Sequence, residues 1–222
     1  MKPTRVAAPR IDELVLRDLV DGDDDELASG ARLEGVRFRE ADVSARDLTG
    51  LRLIECELDG VAAHEARLRG AVISETRIER LEAPVLHAPR AELRDVVVTG
   101  SRLGSVEFID NRWQSVRFIG CKLGFVNLRG SELRDLRFTD CDIEELDLGN
   151  ARAERVAFDG CELRALAVTG ATLRDVDLRG LDFTAMSTLD GIAGLRGATL
   201  DSMQVALLAP SLATHLGIRI ID

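Results

Sequence analysis

One interval dominates this sequence: an apolar residue recurs at every fifth position. From Val116 to Cys141 the chain reads VRFIGCKLGFVNLRGSELRDLRFTDC, and this series is Phe118, Leu123, Leu128, Leu133 and Phe138. In an α-helix, five steps rotate each side chain by roughly 140° from the last, so no apolar stripe forms. In a straight strand, an odd interval puts alternate members on opposite faces. The chain must therefore turn a corner within every repeat, as a solenoid does.

The series continues without insertion or deletion from Leu33 to Phe183, which makes 31 positions. Of these, 27 are Leu, Ile, Val, Phe or Trp, and the other four are Ala63, Ala83, Ala88 and Ala153. The residue two places before each is also small or apolar in most repeats, as at Cys121 and Val126. The remaining three places are mostly Arg, Asp, Glu, Thr and Gly, which suits a solvated turn. We therefore predict two inward side chains in every repeat.

Glycine recurs at the last place of the repeat, where a corner can require positive φ. The glycines that predict such corners are Gly100, Gly120, Gly130, Gly160, Gly170 and Gly180.

Segments such as ATLRD at 171–175 and SELRD at 131–135 resemble the motif of the pentapeptide-repeat proteins, over roughly residues 31–185. The resemblance implies an all-β solenoid, a right-handed quadrilateral parallel β-helix with four repeats in each turn. Like residues should then recur at every fourth repeat. Cys121, Cys141 and Cys161 do so, and Phe118 and Phe138 begin an aromatic series. We expect each of these sets to form a stacked column.

The predicted organisation has three parts. Residues 1–30 form an N-terminal capping segment, with an initial strand and an acidic loop over 21–26. Residues 31–185 form the repeat rod, and residues 186–222 a C-terminal helical cap that is also a possible dimerisation element. In this cap Ser202 is the expected N-cap, 204–209 a short helix, Pro210 the first turn of another, and 218–221 a terminal strand.

The C-terminal segment holds more apolar side chains than a small exposed helix pair needs. These residues are Leu207, Leu208, Leu212, Leu216 and Ile218. They either plug the last turn of the solenoid or additionally join a second subunit. The resemblance implies the second role as well, because members that inhibit or protect topoisomerases form twofold dimers through such an element. We therefore expect a possible homodimer with these contacts.

The segment EAPVLHAPR, residues 82–90, places Pro84 and Pro89 at the same place in successive repeats. Proline presets φ but cannot donate to the neighbouring turn. Either both prolines sit at tolerated corners, or they mark a locally narrowed or bulged turn that forms a recognition feature.

Candidate chemical groups are scattered. His64, His87 and His215 lie in no nucleophile or metal motif, and the four cysteines have no paired spacing. We therefore expect no catalytic residue, metal or cofactor, and predict that the protein is not an enzyme. The N-terminus has no apolar signal-peptide core, and no stretch has the roughly 18 apolar residues of a membrane span. With the expected buried thiols, this predicts a cytoplasmic protein without a membrane partner.

Charge supplies the one global clue to a partner. The sequence has 39 acidic and 29 basic residues, a net charge of −10, which predicts no direct binding to nucleic acid. One hypothesis is a non-catalytic scaffold that binds an unidentified protein partner. The alternative that the resemblance implies is a DNA-mimicking modulator of DNA gyrase or another type II topoisomerase, with possible quinolone protection. A continuous negative face would favour mimicry, whereas alternating Arg and Glu would count against it.

Overall fold

The computed structural model describes residues 6–219 and residue 221 of the 222-residue chain. The backbone winds into a quadrilateral β-solenoid of about nine turns that ends in a single α-helix. The predicted solenoid fold and the inward-facing side chain at every fifth residue are therefore confirmed.

Twenty strands build the solenoid, and every pair between them is parallel. In chain order they are β1 Val20–Asp21, β2 Arg32–Glu34, β3 Val36–Arg39, β4 Arg52–Ile54, β5 Glu57–Asp59, β6 Ala66–Arg67, β7 Val72–Glu79, β8 Glu82–His87, β9 Glu92–Thr99, β10 Arg102–Glu107, β11 Arg112–Ile119, β12 Lys122–Asn127, β13 Glu132–Thr139, β14 Asp142–Asp147, β15 Arg152–Asp159, β16 Cys161–Ala167, β17 Thr172–Asp177, β18 Leu181–Asp182, β19 Thr188–Asp190 and β20 Ala198–Thr199. They form one sheet of 12 strands and one of eight.

Each turn has four faces, which we number on the turn from residue 111 to residue 130. The first face is 111–115, the second 116–120, the third 121–125 and the fourth 126–130, together with the equivalent positions in the turns before and after. The register supports this division, since Trp113 pairs with Leu133 and Lys122 pairs with Asp142. The three cysteines stack as predicted, and the Cys141 main-chain N–H lies 3.4 Å from the Cys161 sulfur.

The fivefold series fills the interior. Every member is buried except Leu33, Leu58 and Leu68, which are partly buried against the same core. Burying an apolar side chain of this size stabilises the fold by about 1.5–3 kcal/mol. One continuous hydrophobic core therefore stabilises the solenoid.

Small polar side chains inside the tube have a specific role. Ser101 Oγ accepts the Leu81 main-chain N–H at 3.0 Å, and Asn111 Oδ1 accepts that of Ala91 at 2.9 Å. Each donor is the equivalent residue one turn earlier. Because a buried amide needs an acceptor, these residues explain why the second inward position is not always apolar.

Many corners of the tube use positive φ, which favours glycine. Five of the six glycines expected at such corners have it: Gly100, Gly120, Gly130, Gly160 and Gly170. The sixth, Gly180, lacks it, so that prediction was wrong. Other corners hold residues with a Cβ in the same conformation, such as Ala45 at φ 58°.

Exchanging these corner residues should move stability in opposite directions. We expect Ala45→Gly to stabilise the fold and Gly120→Ala to destabilise it, each by about 1 kcal/mol, because an L side chain is disfavoured at positive φ. A Cβ at Gly120 would meet nothing within 4 Å, so packing does not confuse the comparison at that site. Urea unfolding of the two variants measures the effect, and a shift of the same sign in both would contradict it.

Pro84 and Pro89 behave differently from each other. Pro89 precedes Arg90 at φ 59° and lies at an ordinary corner. At the other corner, Ala45 and Glu65 have positive φ in the first two turns, but Val85 and the residues that follow it at this corner do not. Gly104 and Gly124 follow Pro84 in its own column, and a Cβ at Gly104 would lie 2.3 Å from the Pro84 carbonyl oxygen. A local change of corner geometry therefore begins at Pro84.

The predicted N-terminal capping segment divides into two parts. Residues 6–18 lie along the outside of the rod. Beyond them β1 pairs with β3 and leads into a 3-10 helix over Asp24–Glu26, and Leu27 is buried against the core. Only the second part thus lies at the end of the tube.

The C-terminal region departs from the prediction in two ways. The fivefold series ends at Phe183, but β19 and β20 add one irregular turn. In this turn Ala165 pairs with Thr188 and Val176 pairs with Ala198, so the partners are further apart in sequence than those of the regular turns. One helix, α1 Ser202–His215, then replaces the two expected helices and contains Pro210. Gln204, Leu208 and Leu212 lie one helical turn apart, so the parts of α1 before and after Pro210 both pack on the last turn of the solenoid. This packing offsets the cost of a proline inside the helix.

Two smaller predictions for this region were also wrong. The N-cap is Asp201, whose side chain accepts the Gln204 N–H, and not Ser202. The expected strand over 218–221 is absent from residues 218, 219 and 221, and residue 220 lies outside the described residues.

Gln204 closes the last turn of the tube. Its buried side-chain amide donates to the carbonyl oxygens of Leu178 at 2.8 Å and Leu181 at 3.0 Å, and its Oε1 accepts the Asp201 N–H. We expect Gln204→Leu to lower the free energy of unfolding by about 2–4 kcal/mol, because two carbonyls lose their donor. The control is Met203→Leu, at a side chain 70% exposed on the same helix. Equal unfolding midpoints for the two variants would contradict the assigned role.

Candidate protein-binding surface

The first face carries an open trough over its last four turns. The middle residue of each strand segment on this face, such as Leu133, points inward. The residues immediately before and after it point outward and form the two rows of the trough. The trough has a volume of about 520 Å³. Four arginines and two glutamates line it: Arg112, Arg134, Arg152, Arg174, Glu132 and Glu154.

These charges alternate along the rod. Glu132 lies between Arg112 at 3.5 Å and Arg152 at 3.8 Å. Glu154 lies between Arg134 at 3.4 Å and Arg174 at 3.8 Å. All four arginines are at least half exposed, so these pairs contribute little to stability and leave N–H donors free. The lining of the trough therefore has two more arginines than glutamates, although Glu92, just outside the lining, also contacts Arg112 at 3.0 Å.

Sequence reasoning missed this trough, although the spacing of one turn contains its signal. Arg112, Glu132 and Arg152 occupy one outward column, as Arg134, Glu154 and Arg174 occupy another. In the sequence, each row consists of charged residues 20 positions apart.

Negative charge does not form one continuous face. Counted over the repeats, the first face has nine acids and eight bases, the second seven of each, and the fourth four acids and five bases. The third face has eight acids and three bases, but Arg102 and Lys122 interrupt it in the middle. The acidic loop at 21–26 supplies much of the rest of the negative charge.

The residues expected to make cap or dimer contacts, on α1 and just after it, differ in exposure. Leu208 is buried at 7% exposure and Leu212 packs partly against the core. Leu207, Leu216 and Ile218 are 47%, 69% and 57% exposed. The structure thus brings the first two together against the last turn and leaves the other three on the surface.

The scattered histidines and cysteines do not converge. His87 pairs with Glu107 at 2.9 Å, and all four cysteines are free and buried. Burial raises the pKa of the Cys56 thiol, and a hydrogen bond with Cys121 raises that of Cys141 to about 11. Within residues 6–219 and 221, no group of three or more potential ligands is arranged to hold a metal ion. In that same part of the chain, no helix has the length and apolar character to cross a membrane.

The solved structures to which this chain is similar have low sequence identity and low TM-scores. No curated protein matches the chain. QnrB1, a plasmid-mediated fluoroquinolone resistance protein, aligns at 19% identity over 86% of this chain and 94% of its own, with a TM-score of 0.38. HetL, a pentapeptide-repeat protein involved in heterocyst differentiation regulation from the cyanobacterium Nostoc sp. strain PCC 7120, aligns at 18% identity over 76% of this chain and 91% of its own, with a TM-score of 0.22.

A family model describes the repeat directly. The model of the pentapeptide repeat region matches residues 111–187. The same inward pentad and the same turn of four pentads extend back from this segment to Leu33. Residues 111–187 therefore match the pentapeptide-repeat family, and the same repeat continues through the rest of the rod.

Proposed function

We propose that the rod is a non-catalytic scaffold that binds a partner protein through its first face. The observation that carries the proposal is the trough, where four exposed arginines face two glutamates in a protein of net charge −10. A partner surface rich in carboxylates fits this excess, since Arg binds carboxylates through two parallel N–H donors. Parallel strands about 4.8 Å apart hold these side chains at fixed spacing, which favours a partner with regularly spaced acidic groups.

A charge-reversal experiment tests this face. Arg112→Glu with Arg152→Glu changes the trough, and Arg102→Glu with Lys122→Glu makes the same change of charge on the third face. Cross-linking in a cell extract, followed by mass spectrometry, identifies the proteins held by each form. We expect the partner of the native protein to be retained by the third-face variant and reduced at least tenfold by the first-face variant. Equal retention by both would contradict the proposal.

The gyrase alternative receives less support from the charges. A DNA mimic needs a long negative surface, and the third face is interrupted by Arg102 and Lys122. The alternative stays a prediction that a supercoiling assay decides. A change in gyrase activity at micromolar protein, with or without a fluoroquinolone, would favour it over the scaffold of unidentified partner, and unchanged activity would remove it for that enzyme.

We also propose that the exposed side of α1, together with the residues just after it, joins two copies of the chain. Leu207, Leu216 and Ile218 would lose solvent exposure there, whereas Leu212 already packs against the last turn. We expect Leu216→Glu to give monomers with an unchanged melting temperature and Leu212→Glu to lower that temperature. Sedimentation velocity and thermal unfolding measure the two effects. A native protein that sediments as a monomer would contradict the proposal.

A further inference from the structure

The N-terminal strap, residues 6–18, lies along the corner between the first and second faces. The Ala7 N–H donates to Asp175 Oδ1 at 3.1 Å, and the Arg10 N–H donates to Asp135 Oδ1 at 2.8 Å. Further along, Arg117 donates to the Asp12 carbonyl oxygen at 3.4 Å. The strap therefore runs from the late turns of the rod toward its first turn.

The spacing of the corner carboxylates fits an extended main chain. Asp135 and Asp175 are two turns apart, about 9.6 Å at the spacing of parallel strands, and the three residues from Ala7 to Arg10 span about 10 Å when extended. Asp95 repeats the interval one step further along the same column. The corner thus offers hydrogen-bond acceptors at the interval where an extended chain can supply donors.

Apolar side chains of the rod and of the strap lie near these acceptors. Val97 faces outward in a column where its paired neighbours are Arg77 and Arg117. It borders the strap together with Leu14. The strap side chains mostly face solvent, but five are partly buried: Val6, Pro9, Ile11, Leu14 and Leu16. The corner therefore presents an apolar side chain near its hydrogen-bond acceptors.

The strap is held weakly compared with the strands. Within the described residues, 6–18 form no main-chain to main-chain hydrogen bond, whereas the turns beneath are paired throughout. A surface cavity of about 310 Å³ remains between the strap and the rod, lined by residues such as Leu14, Asp95 and Val97. Segments with few buried contacts and no ladder open at low free energy. Removing the strap would leave the hydrogen bonds of the rod intact.

We propose that this corner is a binding site for an extended peptide segment of a partner protein, and that the strap is its resident, displaceable occupant. The segment that fits has free main-chain N–H groups three residues apart and apolar side chains at the positions that face Val97. This site deepens the proposed scaffold function and rests on it. It borders the trough but uses different side chains, since Asp135 and Asp175 lie at the corner and directly follow the trough residues Arg134 and Arg174.

The probe is a fluorescein-labelled peptide with the strap sequence, VAAPRIDELVLRD. It is titrated into three full-length proteins: the native chain, the Leu14→Asp/Leu16→Asp chain, whose own strap is weakened, and that chain with Val97→Arg added. Arginine at position 97 matches Arg77 and Arg117 in the adjacent turns, so this variant keeps the rod and changes only the corner. We expect the peptide to bind the weakened chain at least tenfold more tightly than the native chain, and Val97→Arg to remove that gain.

Two results would overturn the inference. One is no peptide binding to the weakened chain when its circular dichroism shows a folded rod. The other is unchanged resistance of Arg10 and Arg17 to trypsin in that chain, which would show that the strap cannot be displaced. Neither result depends on Arg112 or Arg152, so loss of the first-face partner and failure of the corner site are distinguishable.

Discussion

Phe138→Ala should lower the free energy of unfolding by about 4 kcal/mol, the loss typical of a buried aromatic ring. Phe138 is 2% exposed and lies between the rings of Phe118 and Phe158, with centroids 5.1 and 5.0 Å away. Its removal loses both stacked contacts as well as apolar burial. The cavity cannot close easily, because the hydrogen bonds between turns fix the spacing of the neighbouring rings.

Urea unfolding followed by circular dichroism measures this loss. The control is Arg137→Ala, one residue earlier on β13, where the side chain is 41% exposed and points outward. We expect the control to change stability by less than about 0.5 kcal/mol. A loss at Phe138 below about 1 kcal/mol, the size of an average substitution, would mean that the ring does not support the core.

Arg155→Leu should cost about 3–5 kcal/mol, as expected when one partner of a buried ion pair is removed. Arg155 Nε and Nη2 donate to the two oxygens of Asp135 at 2.6 and 2.7 Å. The two side chains are only 12% and 6% exposed under the strap. Without Arg155, the buried Asp135 carboxylate keeps the Arg10 N–H as a donor but loses the charge paired with it.

The control for this prediction is Arg174→Leu, whose side chain is 74% exposed and whose ion pairs are on the surface. It should cost less than about 1 kcal/mol. Chemical unfolding at neutral pH compares the two variants. Equal costs would show that the Arg155 pair is solvated.

The same pair predicts a pH dependence. Burial acts to raise the pKa of Asp135, but hydrogen bonds from Arg155 and the Arg10 N–H, with the charge of both arginines, hold that pKa below its ordinary value. A lowered pKa stabilises the folded state above the unfolded value of about 3.9, and the contribution is lost as pH falls through the folded value. The stability difference between the native chain and Arg155→Leu should therefore shrink below about pH 4. A difference that stays constant to lower pH would contradict this assignment.

The inward pattern was predictable because each turn repeats one physical requirement. Every fifth residue must fill a narrow interior, and the columns of Phe118 and Cys121 follow once four pentads make a turn. The reason for polar residues such as Asn111 was not visible in the sequence, because it depends on an N–H of the turn before.

The ends and the outer surface were harder to predict for different reasons. Pro210 is a helix breaker by local propensity, but packing of Gln204 and Leu208 on the last turn overrides that preference. The strap has no periodic pattern of its own, since its contacts with Asp135 and Asp175 join parts of the chain that are far apart in sequence. One residue in the sequence indicates its location: Val97 is apolar in an outward column where both paired neighbours are arginine.

The most direct test of the fold is a set of distances along one outward column. Spin labels at Arg52 and at Arg112, Arg152 or Thr172 span three, five and six turns, and the native cysteines are buried. Pulsed electron resonance should give separations of about 14, 24 and 29 Å, rising by about 4.8 Å for every turn. Separations that do not rise in this proportion would contradict a four-faced turn built from four pentads.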